Sequence, residues 1–206
     1  MNFQMLKQDH LQWKMFVGEH PVLSAVYFMA IYIVSVILII PDSTLIILIG
    51  GFLFPLPLAV AYSCIAETIG GLLFFLAARL AFLETLGKKK KAELNGIQKK
   101  FRGNQAFYLL FLRFSHLVPF WMVNLGAGLL RVKTRTFIWT TLVGVIPFTF
   151  LVANSGVGLS KYFETHTHFT FEGIFTTEVK IGLVVLGCFA LVPIIVKNWL
   201  EKRKKK

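Results

Sequence analysis

The chain has 206 residues, of which 56% are hydrophobic and only 16% charged, with a net charge of +12. Ordinary soluble domains are about 45–50% apolar with about 25% charged residues, so this composition excludes a soluble globule and points to an integral membrane protein. The positive charge does not point to nucleic acid. Lys and Arg concentrate in Lys88–Arg102, Arg131–Arg135 and Lys197–Lys206, between or after apolar runs, as in cytoplasmic loops of membrane proteins.

In chain order, Met1–His20 is polar, with scattered apolar residues that suit an interfacial segment. Val22–Ile40 is an uninterrupted apolar run of the length a first transmembrane helix needs. Pro41 stops it, and Asp42-Ser43-Thr44 reads as the capped start of a new helix. Leu45–Phe54 is apolar but too short to cross, and runs through Gly50-Gly51 into Pro55-Leu56-Pro57. This predicts a re-entrant hairpin over Pro41–Pro57; one long, kinked span is the alternative. Leu58–Phe82 is a full-length span that carries Glu67 and Arg79. Ser63, Glu67, Gly70, Gly71, Phe74 and Ala78 share one helical face, which is therefore expected to face protein rather than lipid.

Glu84–Gly103 is a basic loop, with Leu94, Ile97 and Phe101 at the spacing of a surface helix. Its lysines read as a solvated, orienting face with a modest attraction to anionic headgroups. Gln105–Leu130 is apolar enough for a bilayer, yet holds Arg113, His116, Pro119, Asn124, Gly126 and Gly128. A charge at membrane depth costs about 2.5–3.5 kcal/mol on insertion scales and needs a partner or a polar cavity. Broken backbone at that depth is tolerated only where protein or a cavity surrounds it. The segment is expected to enter the membrane, turn near Pro119 and leave on the same side, with the glycines allowing close chain approach and Asn124 satisfying backbone groups freed at the break.

Thr136–Ala153 reads as a span interrupted by Gly144 and Pro147, and Asn154–Val179 as a polar loop. His166 and His168 in that loop lack further ligands, so no metal site is expected. Lys180–Val196 is the last span, and Lys197–Lys206 a basic tail. Cys64 and Cys188 lie in apolar runs and give no disulfide framework. No cleavable signal is evident.

One scheme satisfies the positive-inside rule. It has four transmembrane helices and two re-entrant hairpins facing each other, all helical, with both termini in the cytoplasm and the Asn154–Val179 loop outside. Pro41 is followed nine residues later by Gly50, and Pro119 nine later by Gly128. The halves read as an inverted repeat, a transporter architecture. The whole chain is taken as a single membrane domain: residues 1–20 interfacial, 40–158 the core with both hairpins, 159–179 an external loop, and 180–206 the last span and tail.

Arg113 with Pro119-Phe120, Asn124, Gly126 and Gly128, followed by Phe137, Gly144, Pro147, Asn154 and Gly156, resembles the DedA superfamily. This superfamily is also called the VTT-domain or SNARE-associated Golgi protein family; the bacterial late-Golgi-vesicle-protein-like branch looks closest. The Gly50-Gly51-Phe52-Leu53-Phe54 start, Gly70 and the Ala78-Arg79 pair match the family's first half, so the resemblance runs from about Ile40 to Gly158. It implies two opposed hairpins and lipid transport, with ties in bacterial relatives to undecaprenyl phosphate carriers and the proton-motive force. Arg113 matches the arginine of the second hairpin. Pro55 stands where many relatives have glycine, and Glu67 lies in the span after the first hairpin.

The reading is a lipid transporter or scramblase of a bacterial inner membrane, not an enzyme, with no cofactor. Its partners would be lipids with an anionic or phosphate-bearing headgroup, and protons if transport is coupled; homo-oligomerisation stays open. A proton-coupled carrier of small solutes or ions is the alternative, and an enzyme acting on lipid phosphates a remoter one. By helical rise, Glu67 lies about 13 Å below the outer end of its span and Arg113 about 12 Å into its hairpin. Both are then near the middle of a core about 30 Å thick. They are expected to share a polar cavity as the transport site, with Asp42, Arg79, His116 and Asn124 as further polar candidates along it.

Overall fold

The computed structural model describes residues 12–40, 43–85, 98, 103–115 and 118–165. Asp42, His116, most of the basic loop, the His166/His168 pair, the last predicted span and the tail lie outside the described residues.

Seven helices, and no strand, are seen among the described residues. They are α1 (Gln12–Glu19), α2 (Pro21–Ile37), α3 (Ser43–Leu53), α4 (Leu56–Thr85), α5 (Gln105–Ser115), α6 (Phe120–Leu129) and α7 (Thr134–Thr165). α4 and α7 are each long and apolar enough to cross a membrane, and α1 with α2 would make a third crossing if the pair, bent by 111°, is one span. Exposed Leu58, Ile65, Ile69, Leu73 and Leu80 on α4, and Ile138, Trp139, Leu142, Val143, Ile146 and Phe150 on α7, form outward apolar faces. Such faces suit lipid as solvent.

The breaks follow from the chain's own chemistry. Pro21 opens α2, where its missing N–H would have been unpaired anyway. α2 closes with a Schellman turn: the Ile40 N–H donates to the Ser35 carbonyl at 3.0 Å, and Ile39 sits at φ 55°. α6 closes the same way, with the Val132 N–H on the Ala127 carbonyl at 3.0 Å and Arg131 at φ 51°. Neither residue is glycine, so each left-handed position costs about 1–2 kcal/mol, held by its surroundings. Pro55 separates α3 from α4, and its carbonyl accepts the Leu58 and Ala59 N–H groups. Pro119 separates α5 from α6 and accepts from Met122 and Val123.

Two expectations for the second half are corrected. α7 is not interrupted at Gly144 and Pro147; both lie inside one continuous helix. A single proline removes one ladder bond, which membrane helices tolerate. Nor does a loop begin at Asn154, since the helix continues to Thr165. Its polar residues are held by packing: Gly156 lies against the Leu48 carbonyl, Phe163 meets Phe52 edge-on at 5.6 Å, and the Ser155 hydroxyl donates back to the Leu151 carbonyl at 3.1 Å.

The chain divides into two compact units. Among the described residues, the first draws on α1, the start of α2, α3, the start of α4 and the end of α7 from Pro147. There α3 packs on α7: a Cβ at Gly51 would collide with the Ala153 carbonyl. Phe54 takes the edges of Phe28 and Tyr62 at 5.5 and 5.4 Å, and Lys14 pairs with Glu164.

The second unit holds the end of α2, α4 from Cys64, α5, α6 and α7 as far as Ile146. Its apolar core is Phe75, Leu109, Val123, Ala127, Val132 and Phe137, with Phe75 and Phe137 stacked at 4.5 Å. Here α6 packs on α4: a Cβ at Gly128 would meet the Phe75 carbonyl oxygen at 2.8 Å. α5 and α6 form a helical hairpin closed at its base, where the Lys133 N–H donates to the Gln105 side-chain carbonyl at 3.4 Å.

Candidate functional site

Five helices of the second unit bring polar side chains together inside an apolar shell. Arg113, in the last turn of α5, is 3% exposed, and Glu67 of α4 is 6% exposed. Asn124 of α6 and Thr141 of α7 are fully buried, as is Tyr32 of α2.

The Arg113 guanidinium is held by one nitrogen. Nη2 donates to the Asn124 Oδ1 at 2.6 Å and to the Thr141 hydroxyl at 3.0 Å. Its carbon lies 4.1 Å from the Phe120 ring centroid and 5.5 Å from that of Phe137, so the cation also rests on aromatic faces. Gly144 makes room for the side chain: a Cβ there would stand 2.6 Å from the Arg113 Cβ. Gly71 does the same for Phe120 and the Asn124 amide. Nε and Nη1 have no hydrogen-bond partner among the described residues, and neither has the Asn124 Nδ2. Two charged donors thus remain in a nearly water-free place, ready for an oxygen acceptor.

Glu67 supplies the opposite charge. It lies within electrostatic reach of Arg113. Glu67 and Arg113 do not form a direct ion pair among the described residues.

Of the residues expected from sequence, Glu67, Arg113 and Asn124 come together. Asn124 does not serve backbone groups at the Pro119 break; its Oδ1 is taken by the charged Arg113 donor, a stronger bond than one to a neutral amide. Arg79 is half-buried on α4 and makes no side-chain hydrogen bond to this cluster among the described residues. Gly50 lies in the first unit, where a Cβ would press on the Phe28 ring at 2.7 Å. Gly126 does not mediate close packing, because a Cβ there would meet nothing within 4 Å. Sequence reasoning missed Tyr32, Phe120, Phe137 and Thr141 as members of the site. Nothing in the sequence marks Thr141, a threonine in an apolar run with no charge at helical spacing on its own helix.

The VTT domain family profile matches residues 40–158. Among curated proteins the chain is similar to Transmembrane protein 41 homolog of Caenorhabditis elegans, 27% identical over 79% of this chain and 65% of that protein. It is also similar to Transmembrane protein 41B of Homo sapiens, 25% identical over 86% of this chain and 60% of that protein. The chain thus spans between half and two thirds of the length of such relatives. No solved structure matches.

Proposed function

We infer that this chain, which belongs to the VTT-domain family, is a membrane transporter or scramblase that moves phosphate-bearing lipids between leaflets. The observation that carries this reading is Arg113: buried, anchored through Nη2, and with Nε and Nη1 unpartnered among the described residues. A phosphate ester supplies oxygens for such donors. Cation–π contact with Phe120 keeps the guanidinium oriented while the site is empty of lipid.

In this reading α5 and α6 form a re-entrant hairpin. Their lengths, about 16 and 15 Å, are half of a core about 30 Å thick, and the Gln105–Lys133 bond brings both ends to one side. The hairpin tip then carries Arg113 to mid-depth. Asn124 and Thr141 hold Arg113 in the resting state while Glu67 offsets its charge without direct contact; the incoming phosphate takes up Nε and Nη1 and leaves them again as the headgroup departs. Four spans and two opposed hairpins in an inverted repeat, placed in a bacterial plasma membrane with both termini cytoplasmic, complete the scheme. Asp42, His116 and Arg79 are proposed as outer stations of the path.

The test is reconstitution of the pure protein with fluorescent lipids, followed by chemical bleaching from outside. The wild type should expose lipids of both leaflets to bleaching. Glu67→Gln and Arg113→Lys should fold normally and lose lipid movement. Loss of folding first, with normal movement in whatever folds, would make the two charges a structural pair only. The buried Glu67 also favours a second reading, a proton-coupled solute carrier; flux that appears only with a pH gradient and never with lipid would select it.

A further inference from the structure

The contacts of the first unit bear on which face of the membrane its helices start from. We propose that α1 lies on the outer, non-cytoplasmic face, seated on the outer leaflet as an interfacial anchor. α2 then enters from that face and is the first limb of the outer hairpin, with α3 as the second. The sequence alone reads Val22–Ile40 as a full crossing that starts in the cytoplasm. The contacts reverse its direction, whatever the Arg113 site carries.

α7 sets the sides. It is one helix of 32 residues, about 48 Å long, so its ends lie on opposite faces of a core about 30 Å thick. Arg131, Lys133 and Arg135 mark its start as cytoplasmic. Its end, at Phe163 and Glu164, is therefore outer. Four contacts bring α1, the start of α2 and the end of α3 to that same end. Lys14 of α1 pairs with Glu164. Phe52, one residue before the end of α3, meets Phe163 edge-on at 5.6 Å. Trp13, Phe16 and Val17 of α1 line an apolar cavity of about 480 Å³ together with Leu53 and Phe54, where α3 ends. Phe28, the eighth residue of α2, meets Phe54 at 5.5 Å. Had α2 begun in the cytoplasm, Lys14 would stand a membrane core away from Glu164, about 30 Å, and no side chain closes that gap.

The lengths complete a hairpin. α3 has 11 residues, about 16 Å, or half of the core. Ending at the outer face, it starts near the middle. α2 descends 17 residues, about 25 Å, from the outer face, and the turn at Ile39 and Ile40 begins the reversal. Each long helix then follows its own hairpin: α4 after α2 and α3, α7 after α5 and α6. α1 suits the outer interface. It is bent by 111° from α2, so a steep α2 leaves it near the membrane plane. Trp13 and Met15 are both 60% exposed, and tryptophan is enriched at headgroup level. The opposed hairpins and the later spans of the scheme above are kept; its first crossing becomes a hairpin limb, and α1 moves to the outer face.

The test uses the full chain in cells, with Cys188 replaced and the buried Cys64 left in place. Gln12→Cys and Glu19→Cys change exposed positions of α1 outside the ion pair. Both should react with an impermeant thiol reagent added outside intact cells, where Asn95→Cys stays protected. If both are protected outside and label with Asn95→Cys in inverted vesicles, α2 is a crossing and the proposal is overturned. A second measurement does not depend on the direction of insertion. Lys14→Cys with Glu164→Cys should be joined within one chain by a short bis-maleimide, read as fragments that stay together after cleavage at a protease site placed in the Lys88–Arg102 loop. Lys14→Cys with Lys133→Cys, at the other end of α7, should not be joined. Absence of joining in the first pair, or joining in the second, also overturns the proposal. Lipid movement enters neither measurement, so a failed transport assay and a failed side assignment are distinct results.

Discussion

At the scale of single residues, the second unit is organised around one guanidinium. Arg113 has two neutral anchors, Asn124 and Thr141, and the two are not equivalent to ordinary buried hydroxyl and amide contacts because the donor is charged. Thr141→Val keeps the shape and removes one acceptor. Unfolding in detergent should show a loss of about 1–3 kcal/mol, the usual cost of an unsatisfied buried group. Thr140→Val, one residue away and equally buried, is the control. The Thr140 hydroxyl only back-bonds to its own helix, at 2.7 Å from the Thr136 carbonyl, so its removal should stay within about 0.5 kcal/mol. Equal losses at both positions would mean that Thr141 does not support Arg113. The charges and the amide of this site were legible in the sequence, because an apolar run gives no other reason for Glu67, Arg113 or Asn124. Tyr32 and Thr141 were not, since tyrosine and threonine are unremarked in membrane helices; Phe120 and Phe137 stood in the family motif, but only the fold brings them against Arg113.

At the scale of elements, two glycines perform the same task in the two units. Gly51 is the ninth residue of α3 and lies against the carbonyl of Ala153, the twentieth of α7. Gly128 is the ninth residue of α6 and lies against the carbonyl of Phe75, the twentieth of α4. Each short helix thus packs on the long helix of the other half at a matching position. That supports the inverted-repeat reading and moves its register by one residue, from Gly50 to Gly51, because helix starts rather than prolines set the alignment. It also separates glycines that a sequence cannot separate. Gly128→Ala and Gly51→Ala push against backbone that cannot rotate away, and overpacking of this kind costs about 1–3 kcal/mol. Gly126→Ala meets open space inside a helix and should gain up to about 1 kcal/mol. Thermal stability of the three purified variants measures this; a stable Gly128→Ala protein would contradict the close contact. Among the described residues, the existence of α2, α3, α4, α5 and α6 was legible from apolar runs. The extension of α7 through Asn154–Thr165 was not, because Gly156, Tyr162 and Phe163 hold it by contact and not by hydropathy.

At the scale of the whole molecule, the proposed function rests on which side of the membrane each half-length helix starts from. If α5 and α6 were full crossings, Lys88–Arg102 and Arg131–Arg135 would still share a side, but each helix would have to cover a core about 30 Å thick with about 16 Å of length. If the pair crossed as one broken span, the two basic clusters would fall on opposite sides, against the positive-inside rule. The Gln105–Lys133 bond at the base of the pair favours a common side. Single cysteines decide this in a background where Cys188 is replaced and Cys64, which is buried, is left in place. Asn95→Cys and Lys133→Cys should both be protected from an impermeant thiol reagent added outside intact cells, and both should label in inverted vesicles. Thr167→Cys should do the opposite. Labelling of Lys133→Cys from outside while Asn95→Cys stays protected would turn the hairpin into a crossing, move Arg113 off a dead-end tip, and remove the geometric basis for transport at that residue.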